Sequence, residues 1–328
     1  MPRYTRSQAR RWVRDNLRGY FTVLYTPFRP DGEIDDAGLR ANVARTLALP
    51  GVRGLSVHSI HQEFWTLTDA ERKRVVEIVI DAVAGKAPVV VGCSDTSARN
   101  VVDLARHAQA AGADAVMVWP PYYGPRTADG VRGFYEYVAE RIDIGMIAYS
   151  TTLSELGYYL SPEQVEALLP IENLCAVQNT TLDFPSYAAM LERVGDRVCV
   201  TTSLEETMLS GKLAFADGRT PDFLLGSSRP LFVQNEAQPR CGRFLDAILR
   251  RDYASAATEV RGIVEIAGKL QSRYFARGFH HIALSKALTG LFGMATGGTR
   301  PPLGSPSAEE LAECTEILAA AGLVSPCA

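Results

Sequence analysis

Leu174-Cys175-Ala176-Val177-Gln178-Asn179-Thr180-Thr181-Leu182-Asp183 is the stretch from which the architecture is read. An apolar run of four ends in two amides and two hydroxyls, with Pro170 upstream and Pro185 downstream. That pattern predicts a short buried strand delivering polar groups at its C-terminal end. Strands of this kind recur, at residues 20–28, 54–59, 88–94, 115–119 and 145–150 before it and at 198–203 and 222–227 after it. Helix-length segments separate them, at 36–49, 68–83, 101–111, 130–141, 161–169, 184–194 and 204–216. One opens on the capping box Thr68-x-x-Glu71 and another on Ser161-Pro162-x-Gln164. A third sets Val101, Leu104, Ala105, Ala108 and Ala111 on one face at helical spacing.

Eight strands, each followed by a helix-length segment, predict an α/β chain folded as a (β/α)8 TIM barrel. An open doubly wound sheet is the competitor, but no Gly-rich dinucleotide loop follows the first strand. Beyond residue 229 the strand signals stop. Helices are predicted at 231–250, 252–275 and 279–292, and Ser307-x-x-Glu310 caps a last one to 321 after a Gly/Pro-rich linker. The expected organisation is an N-terminal helical segment at 1–18, the barrel at 19–229 and a C-terminal helical extension at 230–328.

A net charge of -3 supplies no basic field for a phosphate backbone, so nucleic acid is not expected as a partner. Cys93, Cys175 and Cys199 sit in apolar strand runs, while Cys241, Cys314 and Cys327 show no paired spacing, which predicts structural thiols. His58-x-x-His61-x-Glu63 has metal-binding residue types, but positions 58 and 61 of a strand point to opposite faces. No metal and no cofactor are expected. The Arg-rich N-terminus lacks the apolar core of a leader, and no apolar run reaches membrane-spanning length, so a cytoplasmic location and no membrane contact are expected.

Five places resemble the dihydrodipicolinate synthase / N-acetylneuraminate lyase family. They are Tyr25-Thr26-Pro27-Phe28 with Asp31-Gly32, Glu63 with Thr66-Leu67-Thr68-x-x-Glu71, Pro120-Pro121-Tyr122-Tyr123, the strand ending in Tyr149, and Arg300-Pro301-Pro302-Leu303. In order and spacing they cover about residues 19–322. The resemblance implies a barrel with C-terminal helices, a homo-tetramer or dimer, and aldol-type or dehydration chemistry on small 2-keto acids. It also implies a lysine at the end of the sixth strand, since an iminium is a better electron sink than a ketone.

The position matching that lysine is Gln178, whose amide is not nucleophilic. The family's Gly-Thr-Thr-Gly-Glu loop reads Ser59-Ile60-His61-Gln62-Glu63, and no arginine follows Tyr149 before Arg193. By the resemblance, Tyr149 is the general acid/base and Tyr123 a proton-relay tyrosine. From the residues themselves, Gln178 suits a hydrogen-bond donor to a substrate carbonyl. His61 suits a base, with an ordinary pKa near 6.5. Substrate contacts are expected from Ser59, Ile60, Glu63, Ser150, Thr151, Leu224 and Arg229, the last as a replacement acid anchor. The primary expectation is a lyase-like enzyme on a small carbonyl compound that works without a Schiff base, in specialised biosynthesis. A non-catalytic paralogue that binds a metabolite or regulates an active relative is a second possibility, and a conventional pyruvate-dependent aldolase with a displaced lysine a third.

Overall fold

The structure, a computed structural model, describes residues 3–152, 158–215, 218–271 and 277–325. The ends of the helices expected at 204–216 and 252–275, Leu153 and Ser154 after Tyr149, and Cys327 lie outside the described residues. Eight strands are present: β1 (Gly19–Val23), β2 (Val52–Val57), β3 (Val89–Gly92), β4 (Ala115–Val118), β5 (Met146–Thr151), β6 (Leu174–Thr180), β7 (Cys199–Thr201) and β8 (Phe223–Ser227). They form one sheet in the order β7-β6-β5-β4-β3-β2-β1-β8, alternating with helices as a (β/α)8 TIM barrel with C-terminal helices. Both faces of such strands are covered, which is why β3 reads Val-Val-Val-Gly and β4 Ala-Val-Met-Val with every residue buried.

Compactness divides the chain into two units. The first comprises Met1–Phe21 and Pro88–Gly226. It carries α1 (Ala9–Asn16), α4 (Ala98–Ala111), α5 (Ala128–Ala139), α6 (Pro162–Leu168), α7 (Phe184–Val194) and α8 (Glu205–Ala214). Parallel registers pair Val116 with Met146, Tyr149 with Gln178, and Gln178 with Thr201. Leu225 N donates to Thr202 O at 3.0 Å and Thr201 Oγ1 to Phe223 O at 2.6 Å, which ties β8 to the end of β7. The short basic helix α1 covers the start of β6, where Arg10 donates to the carbonyls of Leu174 (2.7 Å), Ile171 (2.8 Å) and Leu169. On α4 the expected apolar face is buried except at Ala111, which is half-buried at the helix end.

The second unit comprises Thr22–Ala87 and Ser227–Ala328. It holds α2 (Asp36–Ala48), α3 (Asp69–Val83), α9 (Arg240–Arg250), α10 (Tyr253–Leu270), α11 (His280–Thr289) and α12 (Ala308–Ala320). The capping boxes expected at Thr68, Ser161 and Ser307 all form. The helix expected over 231–250 is shorter. Arg229–Leu231 is a single 3-10 turn, and α9 starts only at Arg240. Pro239 breaks the run, and Asn235 Oδ1 accepts from Gln238 N at 2.8 Å, a side-chain turn that competes with helix. β1 likewise stops at Val23, short of the expected residue 28, and Phe28 instead bridges antiparallel to Ile34.

Candidate functional site

Because a strand alternates faces, residues two apart share one. Tyr149 on β5, Gln178 on β6 and Thr201 on β7 are register partners and make one polar row in the first unit. Thr151 and Thr180, paired in the same register, make a second row two residues nearer the C-terminal ends, and Ser203 follows Thr201 at the same spacing. These ends carry the chemistry of a barrel.

Tyr149 is 6% exposed, and the Trp119 ring stacks on it at 4.9 Å between centroids and 21° between planes. Thr151 and Thr180 carry hydroxyls as register partners two residues further along β5 and β6. Burial pushes its pKa up to about 12, against the lowering effect of those two hydroxyls, so it is a neutral phenol near pH 7.

Gln178 is buried beneath that pair. Its Nε2 donates to Leu225 O at 2.9 Å and to Thr180 Oγ1 at 3.3 Å. Gly226 makes room for it, since a Cβ there would meet Nε2 at 2.9 Å, and its φ of +84° is a conformation that glycine adopts freely. Both N–H groups are thus engaged, while Oε1 is buried with no partner. The sequence suggested Gln178 as a donor to a carbonyl; its open valence is an acceptor instead.

The other expected contacts in this unit are committed to the chain. Ser150 Oγ donates to Leu160 O (3.2 Å) and accepts from Leu160 N (3.1 Å). Thr151 Oγ1 donates to Thr180 O at 2.8 Å. Leu224 is buried in β8, whereas Tyr123 is 81% exposed and is not brought to Tyr149 within this chain.

In the second unit a separate polar cluster forms. Glu63 is fully buried and spans two partners, with Oε1 accepting from Lys286 Nζ at 2.8 Å and Oε2 from Arg300 N at 3.0 Å. It anchors Lys286 and the Arg300 backbone there. His61 is 9% exposed, edge-on to Tyr25 at 5.8 Å and to His281 at 6.3 Å, and its Nδ1 has no hydrogen-bond partner. Burial first, and then His281, lower its pKa to about 3, so the base expected to titrate near 6.5 is a neutral imidazole. Ser59 Oγ accepts from His61 N at 3.3 Å, Ile60 is half-buried in the same 3-10 turn, and Arg229 is buried at 6% exposure. His58 bonds through Nε2 to Arg72 O at 2.8 Å. Among the described residues no three His, Cys, Asp or Glu side chains gather as a metal site.

Sequence reading passed over Trp119, Thr180, Ser203 and Lys286. The first three follow from Tyr149 and Gln178 once strand register and the two-residue period are applied. Lys286 meets Glu63 across 223 residues of chain, and no local signal announces that pairing.

The model of the "Dihydrodipicolinate synthetase family" matches residues 16–321. The chain is 34% identical over 242 residues to 4-hydroxy-tetrahydrodipicolinate synthase of Methylobacterium radiotolerans, covering 74% of this chain and 77% of that protein. It is 29% identical over 307 residues to the enzyme of the same name from Methanothrix thermoacetophila, covering 92% and 96%. Among solved structures, YagE, a prophage protein of the dihydrodipicolinic acid synthase family from E. coli K12 in complex with pyruvate, superposes with a TM-score of 0.80 at 23% identity, covering 94% and 99%. N-acetylneuraminate lyase from Mycoplasma synoviae superposes at 0.77 with 20% identity, covering 93% and 97%. With the eight-stranded barrel and the polar strand ends of β5 to β7, these matches make the chain a member of the dihydrodipicolinate synthetase family, whose members are lyases and synthases.

Proposed function

We propose that this protein is a lyase-like enzyme acting on a small carbonyl compound without forming a Schiff base. The observation that carries the reading is Gln178: the place where the resemblance calls for a lysine holds a buried amide with both N–H groups engaged and its oxygen open. The five lysines of the chain support it. Lys212 is held by Thr220 O and Asp222, Lys269 pairs with Glu265, Lys86 is exposed, and Lys73 belongs to α3. Lys286 is fully buried, gives hydrogen bonds to Glu63 and Gly298 O, and lies over the Phe28 ring at 4.3 Å.

In this reading Tyr149 polarises the carbonyl and moves the proton, since its phenol is neutral and therefore a donor near pH 7. Gln178 Oε1 accepts from a hydroxyl or amine of the substrate, which favours a carbonyl compound carrying such a donor. Trp119 supplies an apolar wall against Tyr149. Assembly as a dimer or tetramer belongs to the same proposal, supported by the exposed Tyr122 and Tyr123 between β4 and α5.

The test is borohydride reduction in the presence of pyruvate, the ligand in the YagE structure, read by intact mass. The wild type is expected to stay unmodified, while Gln178→Lys gains the mass of a reduced imine. A wild-type adduct mapped to one of the native lysines overturns the proposal.

A further inference from the structure

The ladder between β5 and β6 carries one residue too many on the β6 side. Met146 pairs with Leu174 but Ile147 with Ala176, which leaves Cys175 as the extra residue of a bulge, an irregularity that is rare between parallel strands. It sets every partner downstream, because a slip of one residue turns each side chain to the opposite face. Counted on from Met146 and Leu174 without the bulge, Tyr149 would stand beside Val177 and Thr151 beside Asn179. With it, their partners are Gln178 and Thr180. The bond of Gln178 to Leu225 O and the room left by Gly226 belong to this bulged register.

Two side chains of the N-terminal segment close on the bulge, one from each strand. Arg10 on α1 donates to the carbonyl of Leu174, where the bulge begins, at 2.7 Å, and to those of Ile171 and Leu169 in the turn before β6. The Tyr4 hydroxyl accepts from Gly145 N at 3.0 Å, one residue ahead of Met146, and donates to Asp114 O. Gly145 admits both, since a Cβ there would meet the Tyr4 oxygen at 2.7 Å and Cys175 Sγ at 3.0 Å. Cys175 Sγ donates in turn to Met146 O at 3.3 Å. Tyr4 and Arg10 precede residue 16, where the family match begins, so this clamp lies outside the matched region. We infer that Arg10 and Tyr4 are positioning residues for the Tyr149–Gln178 pair, holding the entries of β5 and β6 in the one register that makes Gln178, and not Val177, the neighbour of Tyr149. This rests on the proposed use of Tyr149 and Gln178 in the reaction.

The register can be read with no substrate present. Cysteines at neighbouring positions of adjacent strands are bridged by dibromobimane, which becomes fluorescent once both of its arms have reacted, and peptide mass separates the engineered bridge from the native thiols. In the otherwise intact chain Tyr149→Cys/Gln178→Cys is expected to bridge, and Tyr149→Cys/Val177→Cys is not. Adding Arg10→Ala is expected to slow the first bridge about tenfold, the weight of a single charge-assisted hydrogen bond, and to bring up the second. Adding Tyr4→Phe, which removes one oxygen and keeps the ring, is expected to shift both bridges in the same directions by less, and it carries the comparison where Arg10→Ala does not fold. Val90→Cys/Ala115→Cys, register partners on β3 and β4, reads general loosening and is expected to bridge at an unchanged rate. Unchanged bridging at 149 and 178 with both N-terminal substitutions in place overturns the inference. So does a loss shared by the β3–β4 pair, which would make the clamp a matter of stability alone, or a first pair that fails to bridge in the intact chain. Because no substrate is present, each of these failures is separate from an imine adduct on the wild type, which overturns the functional proposal instead.

Discussion

Acid is expected to unfold this protein earlier than its carboxylates alone would dictate, because His58 and His61 are both buried as neutral rings at 3% and 9% exposure. Burial is the leading cause in each, joined by the Arg72 charge at His58 and by His281 at His61, and each folded pKa is lowered from 6.5 to about 3. A histidine whose folded pKa is depressed binds more protons when unfolded. Its contribution is complete above the unfolded pKa, falls with pH below 6.5, and is gone once pH has passed the folded value near 3. Between pH 7 and pH 5 each ring then withdraws about 1.9 kcal/mol, about 4 kcal/mol for the pair, a large share of the ~5–15 kcal/mol that holds a typical domain together. Glu310, lowered from 4.5 to about 2 by the Ser307 backbone, Arg277 and His280, loses its stabilising bonds in the same direction but only below about 4.5, so the window above pH 5 isolates the histidines. Urea denaturation at pH 7, 6 and 5 reads the loss as a falling midpoint at constant m-value. In His58→Gln/His61→Gln the dependence on pH over this window is expected to flatten. A double variant whose stability falls as steeply as the wild type would refute the burial argument.

The Glu63–Lys286 pair, 0% and 1% exposed, gives a second test. Glu63→Gln or Lys286→Met leaves one buried charge unpaired and is expected to cost about 3–5 kcal/mol in urea denaturation, while the double variant loses less than the two singles together. Single losses below about 1 kcal/mol would show that water reaches the pair. Gly226→Ala meets both a φ of +84° and a contact with Gln178 Nε2 at 2.9 Å, and is expected to cost about 1–3 kcal/mol in thermal denaturation. In a Gln178→Ala background only the backbone part, about 1 kcal/mol, remains; an unchanged melting temperature in Gly226→Ala argues against the close approach of β6 and β8.

The fold was legible because barrel strands buried on both faces read as continuous apolar runs, and because Thr68, Ser161 and Ser307 announce helix starts through short-range hydrogen bonds. The failures are equally local in origin. Residues 231–239 carry enough apolar character for a helix, but Pro230, Pro239 and the Asn235 side-chain turn withdraw the backbone donors that a helix needs. Tyr149 and Gln178 entered the candidate site through the family resemblance, each standing where an apolar run meets polar residues. The burial of His61 was not legible, because exposure depends on elements as distant in sequence as His281. Thr180 stood inside the decisive stretch and was still missed, because its importance comes from β5 and β7, whose register no single strand discloses.

Most of the motifs that carried the family resemblance lie away from the strand ends of β5 to β7. In the second unit, the Arg300 guanidinium lies 4.5 Å from the Phe28 ring centroid and donates to Gly32 O and to Glu71 Oε1 at 2.7 Å, while its backbone N–H meets Glu63. Lys286 completes the cluster between Glu63 and Phe28. Three of the five resembling stretches therefore meet in one ionic knot, buried at Glu63 and Lys286 and part-exposed at Arg300 and Glu71. Such a knot constrains sequence through stability whatever the reaction. The strand ends of β5 to β7 face no comparable constraint, since Gln178 is held by two acceptors and the room that Gly226 leaves. Similarity in the first set is evidence about folding, and chemistry has to be argued from the second, where an amide oxygen and a row of hydroxyls surround a neutral phenol.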